Sequence, residues 1–134
     1  KVSLAGLEAT LKLYLDGRAD ELPARALMIR EGEELRTLAQ AIADAAHQLE
    51  GFTATVVPER SQPGSGSAPD IFIDTFAARL THASLSADAL AAALRHGEPS
   101  VFSRIADDAV ILDPRTLLEG DLEGLIATLC AVTS

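Results

Sequence analysis

The sequence predicts an α+β fold, a two-layer domain with a small antiparallel or mixed sheet and helices on one face. Three observations carry this. Apolar residues recur at helical spacing in well-separated segments. Between them lie short runs rich in Val, Ile and Thr, bounded by glycine, proline or aspartate. Two of these runs are joined across Asp107-Asp108, which reads as a hairpin. The chain has 134 residues, 48% hydrophobic and 23% charged, enough for one core and too apolar for a disordered chain.

The elements follow in order. From Ser3 to Asp16, Leu4, Leu7, Leu11, Tyr14 and Leu15 recur at helical spacing; Ser3 can cap the start, and Gly17 follows the end. Glu8 and Lys12 form a favourable i,i+4 pair on the wet side. Residues 18–30 contain Pro23 and the short apolar run Ala26-Leu27-Met28-Ile29, open to reading as an extended segment or a short strand. Glu33 to Leu49 is the most regular helix, with Leu35, Leu38, Ala39, Ile42, Ala46 and Leu49 in one stripe. Glu31, Glu33 and Glu34 sit at its start, where the helix dipole favours anions, and Gly51 stops it. Phe52 to Pro58 reads as a strand, and a second is expected within Ile71 to His82. Ser86 to His96 is a helix with Ser86 as N-cap and Leu85 and Leu90 in the staple positions; Gly97 and Pro99 end it. Val101 to Ile105 and Val110 to Leu112 form the hairpin strands. A last helix runs from Asp121 to Val132, with Leu122, Leu125, Ile126 and Leu129 on one face.

Charge is lopsided, with 20 acidic residues against 11 basic and a net charge of −9. An acidic chain without a basic stripe is a poor binder of nucleic acid or anionic membrane on its own. The lone Cys130 excludes a disulfide framework and reads as a small buried thiol. No apolar run has the length of a membrane span, and no signal-peptide pattern is present. His47, His82 and His96 lack metal-ligand spacing, and Asp107, Asp108 and Asp113 read as turn and strand-end residues. The chain opens at Lys1 without Met, which reads as a processed protein or a piece of a longer one.

One stretch is compositionally unusual. In Ser61 to Pro69, Gly64 and Gly66 permit backbone conformations other residues avoid, and Ser61, Gln62, Ser65 and Ser67 add polar side chains. Successive N–H groups and hydroxyls of this kind can cradle an anion, and the same composition suits a flexible linker. The loop has no P-loop lysine and lacks dinucleotide-binding glycine spacing. Arg104, mid-strand, and Arg115, at a strand end after Asp113-Pro114, are the other candidates for a site.

At this loop the chain resembles a known family. Ser61-Gln62-x-Gly64-Ser65-Gly66-Ser67-x-Pro69 is similar to the S-Q-x-G-x-G-S-x-P segment of bacterial L-seryl-tRNA(Sec) selenium transferases. Leu4-Ala5-Gly6-Leu7-Glu8-Ala9-Thr10-Leu11 resembles that family's L-A-A-L-E-A-T-L helix. Pro99 to Ile105, followed by Leu112-Asp113-Pro114-Arg115-Thr116, resembles its P-x-V-I-G-R-I and L-D-L-R-T strands. The departures are Pro63, Ala68, Phe102-Ser103, Pro114 and the stretch Asp70 to Phe76.

The resemblance implies the small C-terminal domain of a pyridoxal-phosphate enzyme of the aspartate-aminotransferase fold. Residues 1–134 would be that one domain, and residues 1–17 a helix leading to an upstream cofactor domain. It implies conversion of seryl-tRNA(Sec) to selenocysteyl-tRNA(Sec) with selenophosphate as donor, a cytoplasmic location and a homo-oligomer. The Schiff-base lysine is expected upstream, leaving no catalytic residue in this chain. Ser61, Gln62, Gly64, Ser65, Gly66, Ser67, Arg104 and Arg115 are then the residues expected to face substrate. The residues support that truncation. The only lysines are Lys1, at the terminus, and Lys12, on a wet helix face, and neither suits a covalent cofactor link. The departures leave open a related pyridoxal-phosphate ammonia-lyase acting on an amino sugar acid. An α+β interaction or ligand-binding module without catalytic activity is the reading from another class.

Overall fold

A computed structural model describes residues 1–64 and 70–132. The chain divides into two compact units, Lys1–Glu31 and Gly32–Ser134.

The first unit is all helix. Helix α1 spans Val2–Leu15 and buries none of its residues. Its large apolar side chains lie open, Leu4 at 71% exposure and Leu15 at 86%. Lys1 rather than Ser3 occupies the N-cap position, with no side-chain cap bond. The expected Glu8–Lys12 pair forms at 2.9 Å. Residues 18–30 contain no strand. A 3-10 turn, Ala19–Glu21, precedes helix α2, Pro23–Met28. Pro23 starts α2 because its fixed φ suits the first turn and its missing N–H costs nothing there. Arg18 donates to both carboxylate oxygens of Glu21 at 2.7 Å. That bond holds the Glu21 carboxyl below the usual carboxylate range.

The second unit is the expected two-layer domain. Helix α3, Gly32–His47, leads into the antiparallel pair β1, Phe52–Ser61, and β2, Ile73–His82. Helix α4, Ala87–His96, is followed by the hairpin β3, Arg104–Ala106, and β4, Ala109–Leu112. Asp107 and Asp108 make its turn with φ of 48° and 55°; Val101–Ser103, expected in the first hairpin strand, lies outside it. A 3-10 turn, Pro114–Thr116, precedes helix α5, Asp121–Val132. The sheet order is β1-β2-β4-β3, antiparallel throughout.

Strand alternation separates the two faces of the sheet. Phe52, Ala54, Ala78, Leu80, Val110 and Leu112 point into one core with Ile42, Ala46, Leu90, Leu94, Leu125 and Leu129 from the helices. The helices thus share one face. The other face carries Glu59, Thr75, Arg79 and Arg104, with Ile111 directly between Arg79 and Arg104 in register. Ser86 caps α4 as expected, accepting from the Ala89 N–H at 3.2 Å. The α4–α5 corner is tight. The Thr128 hydroxyl donates to the Pro99 carbonyl at 2.7 Å, and a Cβ on Gly97 would lie 2.3 Å from the Thr128 methyl. Cys130 is exposed, not buried, because it falls on the helix flank away from Leu125 and Leu129.

Gly51 turns the chain from α3 into β1 at φ +81°, and a Cβ there would lie 2.7 Å from the His82 ring. That ring packs edge-on against Phe52, and its Nδ1 accepts the backbone N–H groups of Ser84 and Leu85 at 3.2 and 3.3 Å. Gly51→Ala is expected to destabilise the chain by about 1–3 kcal/mol. Urea unfolding measures this, and an unchanged midpoint would contradict the stated role of Gly51.

Candidate functional site

Of the expected site residues, the described ones, Ser61, Gln62, Gly64, Arg104 and Arg115, lie at or just beyond one end of the sheet. Ser61 is the last residue of β1 and faces away from the helices, on the side of Glu59 and Thr75. Just past the end of β4 stands Asp113, whose carboxylate accepts from three donors. These are the Ser61 hydroxyl, the Thr75 hydroxyl at 3.0 Å and the Arg115 backbone N–H at 3.0 Å. Asp113 is thus the side-chain cap of the Pro114–Thr116 turn and a clasp between β1, β2 and β4.

The two arginines differ. Arg115 is 5% exposed, and its guanidinium donates to the Asp74 carbonyl at 2.6 Å. Its donors therefore face the interior and fasten the start of β2. Arg104 is open, its side chain 52% exposed, and meets the Glu59 carboxylate at 3.3 Å across the outer face. An exposed pair of this kind contributes only about 0–1 kcal/mol, so the guanidinium can exchange its partner at little cost.

Gln62 and Gly64 stand where the chain leaves β1. Gly64 has φ +82°, and its N–H donates to the Gln62 carbonyl at 2.8 Å, a turn that glycine makes without strain. Ser65, Gly66 and Ser67 lie outside the described residues. Ser61, Arg115 and Asp113 are joined directly by hydrogen bonds or sequence neighbourhood, and Arg104 shares the outer face through Glu59.

The sequence marks Asp113 only as a strand-end residue and does not single out Thr75 or Glu59. The signal for Asp113 was its place before proline at a strand end, the position of a side-chain cap. Thr75 and Glu59 carry no local signal, since only the β1–β2 register pairs them. Among the described residues no group of His, Cys, Asp and Glu could hold a metal ion. His47 and His96 each bond a carbonyl one helical turn back, Ala43 at 3.0 Å and Ala92 at 2.8 Å. No lysine stands in the second unit, and Lys12 is held by Glu8 on an exposed helix. Among the described residues no helix is long and apolar enough to cross a membrane.

Asp113→Ala removes an acceptor from two hydroxyls and a backbone N–H. The expected loss is at least about 2 kcal/mol of stability, since a hydrogen bond to a charged group contributes about 1.5–3 kcal/mol. Asp113→Asn keeps one acceptor oxygen and is expected to fall between wild type and alanine. Denaturant midpoints read both, and an alanine variant as stable as wild type would remove the clasp from the account.

Comparison with known proteins agrees with the motifs. The family model for L-seryl-tRNA selenium transferase matches residues 1–118. The chain is 32% identical over 129 residues to the L-seryl-tRNA(Sec) selenium transferase of Aquifex aeolicus, covering 96% of this chain and 28% of that protein. It is 37% identical over 136 residues to the enzyme of Desulfovibrio desulfuricans, covering 96% of this chain and 29% of that protein. The chain therefore spans less than a third of these relatives. Among solved structures, D-glucosaminate-6-phosphate ammonia-lyase superposes with a TM-score of 0.55 at 22% identity, over 96% of this chain and 30% of that one. That likeness speaks for the fold alone. Matched along residues 1–118, the chain belongs to the L-seryl-tRNA selenium transferase family.

Proposed function

We propose that this chain is the small C-terminal domain of a pyridoxal-phosphate-dependent selenium transferase that converts seryl-tRNA(Sec) to selenocysteyl-tRNA(Sec). The observation that carries the reading is the family match along residues 1–118, in a chain spanning under a third of its relatives. Residues 1–17 then lead to an upstream domain of the same polypeptide. The domain's task is to complete a site built mainly upstream, in a cytoplasmic homo-oligomeric enzyme with selenophosphate as second substrate.

The residues present do not fit covalent attachment of pyridoxal phosphate. Lys12 is 68% exposed and paired with Glu8, with no enclosing pocket described around it, and Lys1 is terminal. No step through the cofactor is assigned to this chain. What its residues offer is anion positioning. Arg104 presents a planar donor fork suited to a carboxylate or phosphate, and it bonds the Glu59 carboxylate at 3.3 Å. Ser61 holds the first residue of the Gly/Ser loop to Asp113, fixing where that loop departs. Arg115 serves as support for the same sheet end. The likeness to the ammonia-lyase supports a second substrate reading only at the level of shared fold.

In the full-length enzyme, Arg104→Ala is expected to raise KM for the anionic substrate about tenfold with kcat less affected, as loss of a binding contact does. Arg104→Lys should recover part of it. Steady-state kinetics with circular dichroism as a folding control decide this, and unchanged KM removes Arg104 from the site. The 134-residue chain, mixed with pyridoxal phosphate and reduced with borohydride, should form no saturable one-to-one adduct by mass spectrometry. A stoichiometric adduct on Lys12 would place the cofactor link in this domain after all.

A further inference from the structure

At the same sheet end lies an open groove lined by Gly32, Pro58, Glu59, Arg60, Asp74, Thr75 and Phe76, of which Pro58, Arg60, Asp74 and Phe76 lie on the helix-facing side of the strands. Two guanidiniums border it. Arg36 sits over the Phe76 ring at 5.7 Å and Arg60 over the Phe72 ring at 5.5 Å. Arg36 and Arg60 form no ion pair among the described residues. This is unusual in a chain of net charge −9, where carboxylates outnumber cations. Phe72 is 51% exposed, so ring surface remains open beside its arginine. The carboxylate of Asp74, directly opposite Arg60 in register, is exposed and has no hydrogen bond among the described residues.

These groups match three parts of one ligand. Unpaired guanidiniums suit phosphate oxygens, and an open aromatic ring suits a flat base. A free carboxylate repels phosphate and accepts hydrogen bonds from hydroxyls, as acidic residues do from a ribose 2′-OH. We propose that this groove binds an unpaired ribonucleotide of an RNA strand, with phosphate on Arg36 and Arg60, base on Phe72 and ribose hydroxyl on Asp74. The proposal rests on the tRNA reading only for the identity of the strand. Its chemistry comes from the groove. Asp74 and Glu59 in the lining and the nearby Glu33 and Glu34 oppose phosphate, so the site is weak by itself and adds to contacts made elsewhere.

The test is fluorescence anisotropy of the 134-residue chain with a labelled, unstructured single-stranded RNA. Saturable binding is expected, with log K falling against log salt at a slope of about −1.4 for two phosphate contacts. Arg36→Ala/Arg60→Ala should weaken binding at least about tenfold. The charge-matched control Arg18→Ala/Arg25→Ala in the first unit should change it less than about twofold. The same sequence as DNA should bind more weakly, and Asp74→Asn should narrow that difference. Equal losses in the two double variants would mean bulk charge and overturn the proposal. So would the absence of saturable binding, or adenosine monophosphate binding as tightly as the strand. A failure of the tRNA reading is seen separately, as a full-length enzyme without activity on seryl-tRNA(Sec) whose domain still binds RNA through Arg36 and Arg60.

Discussion

Three strand ends converge on the Asp113 carboxylate, and the geometry around the candidate site follows from that convergence. Ser61 closes β1, Thr75 lies near the start of β2, and Asp113 follows β4. Their hydrogen bonds fix the end of the sheet from which the Gly/Ser loop departs. A carboxylate with several donors is fully solvated by protein, so little is lost by removing it from water. The arrangement is also local in its demands. Arg115 turns its guanidinium inward to the Asp74 carbonyl while its own N–H is held by Asp113. The buried arginine and the shared carboxylate therefore support one another.

The two faces of the sheet end have different characters. The outer face is polar and bridged, with Arg104 and Glu59 meeting across it. The helix-facing side carries guanidiniums over aromatic rings beyond the start of α3. One strand end thus supplies both, since alternate residues of β1 point to opposite sides: Glu59 and Ser61 outward, Pro58 and Arg60 toward the helices. A shift of the β1–β2 register by one residue would exchange the two sets, so the register is a functional constraint as well as a packing one.

Much of this was legible in the sequence. The stripe from Leu35 to Ala46, the Ser86 cap and the Asp-Asp turn are local patterns, and local patterns survive folding. Residues 18–30 were not legible, because a short helix started by Pro23 has too few turns to display a period. Cys130 ends outside the core because a thiol's preference for the interior is weak beside the pull of Leu125 and Leu129 on the helix orientation. The site was only half legible. Ser61, Arg104 and Arg115 were visible as residue types at suggestive places. Whether an arginine ends inside or outside depends on partners far away in the chain, Asp74 for Arg115 and Glu59 for Arg104.

Ile111 lies on the polar face of the sheet yet is only 2% exposed, flanked in register by Arg79 and Arg104. The carbon stems of long cationic side chains can cover apolar surface while their heads stay wet. Arg79 and Arg104 stand beside Ile111 in register, where their stems are placed to shield it while their charged heads stay in water. A change at either position alters the footing of the sheet as well as its electric field.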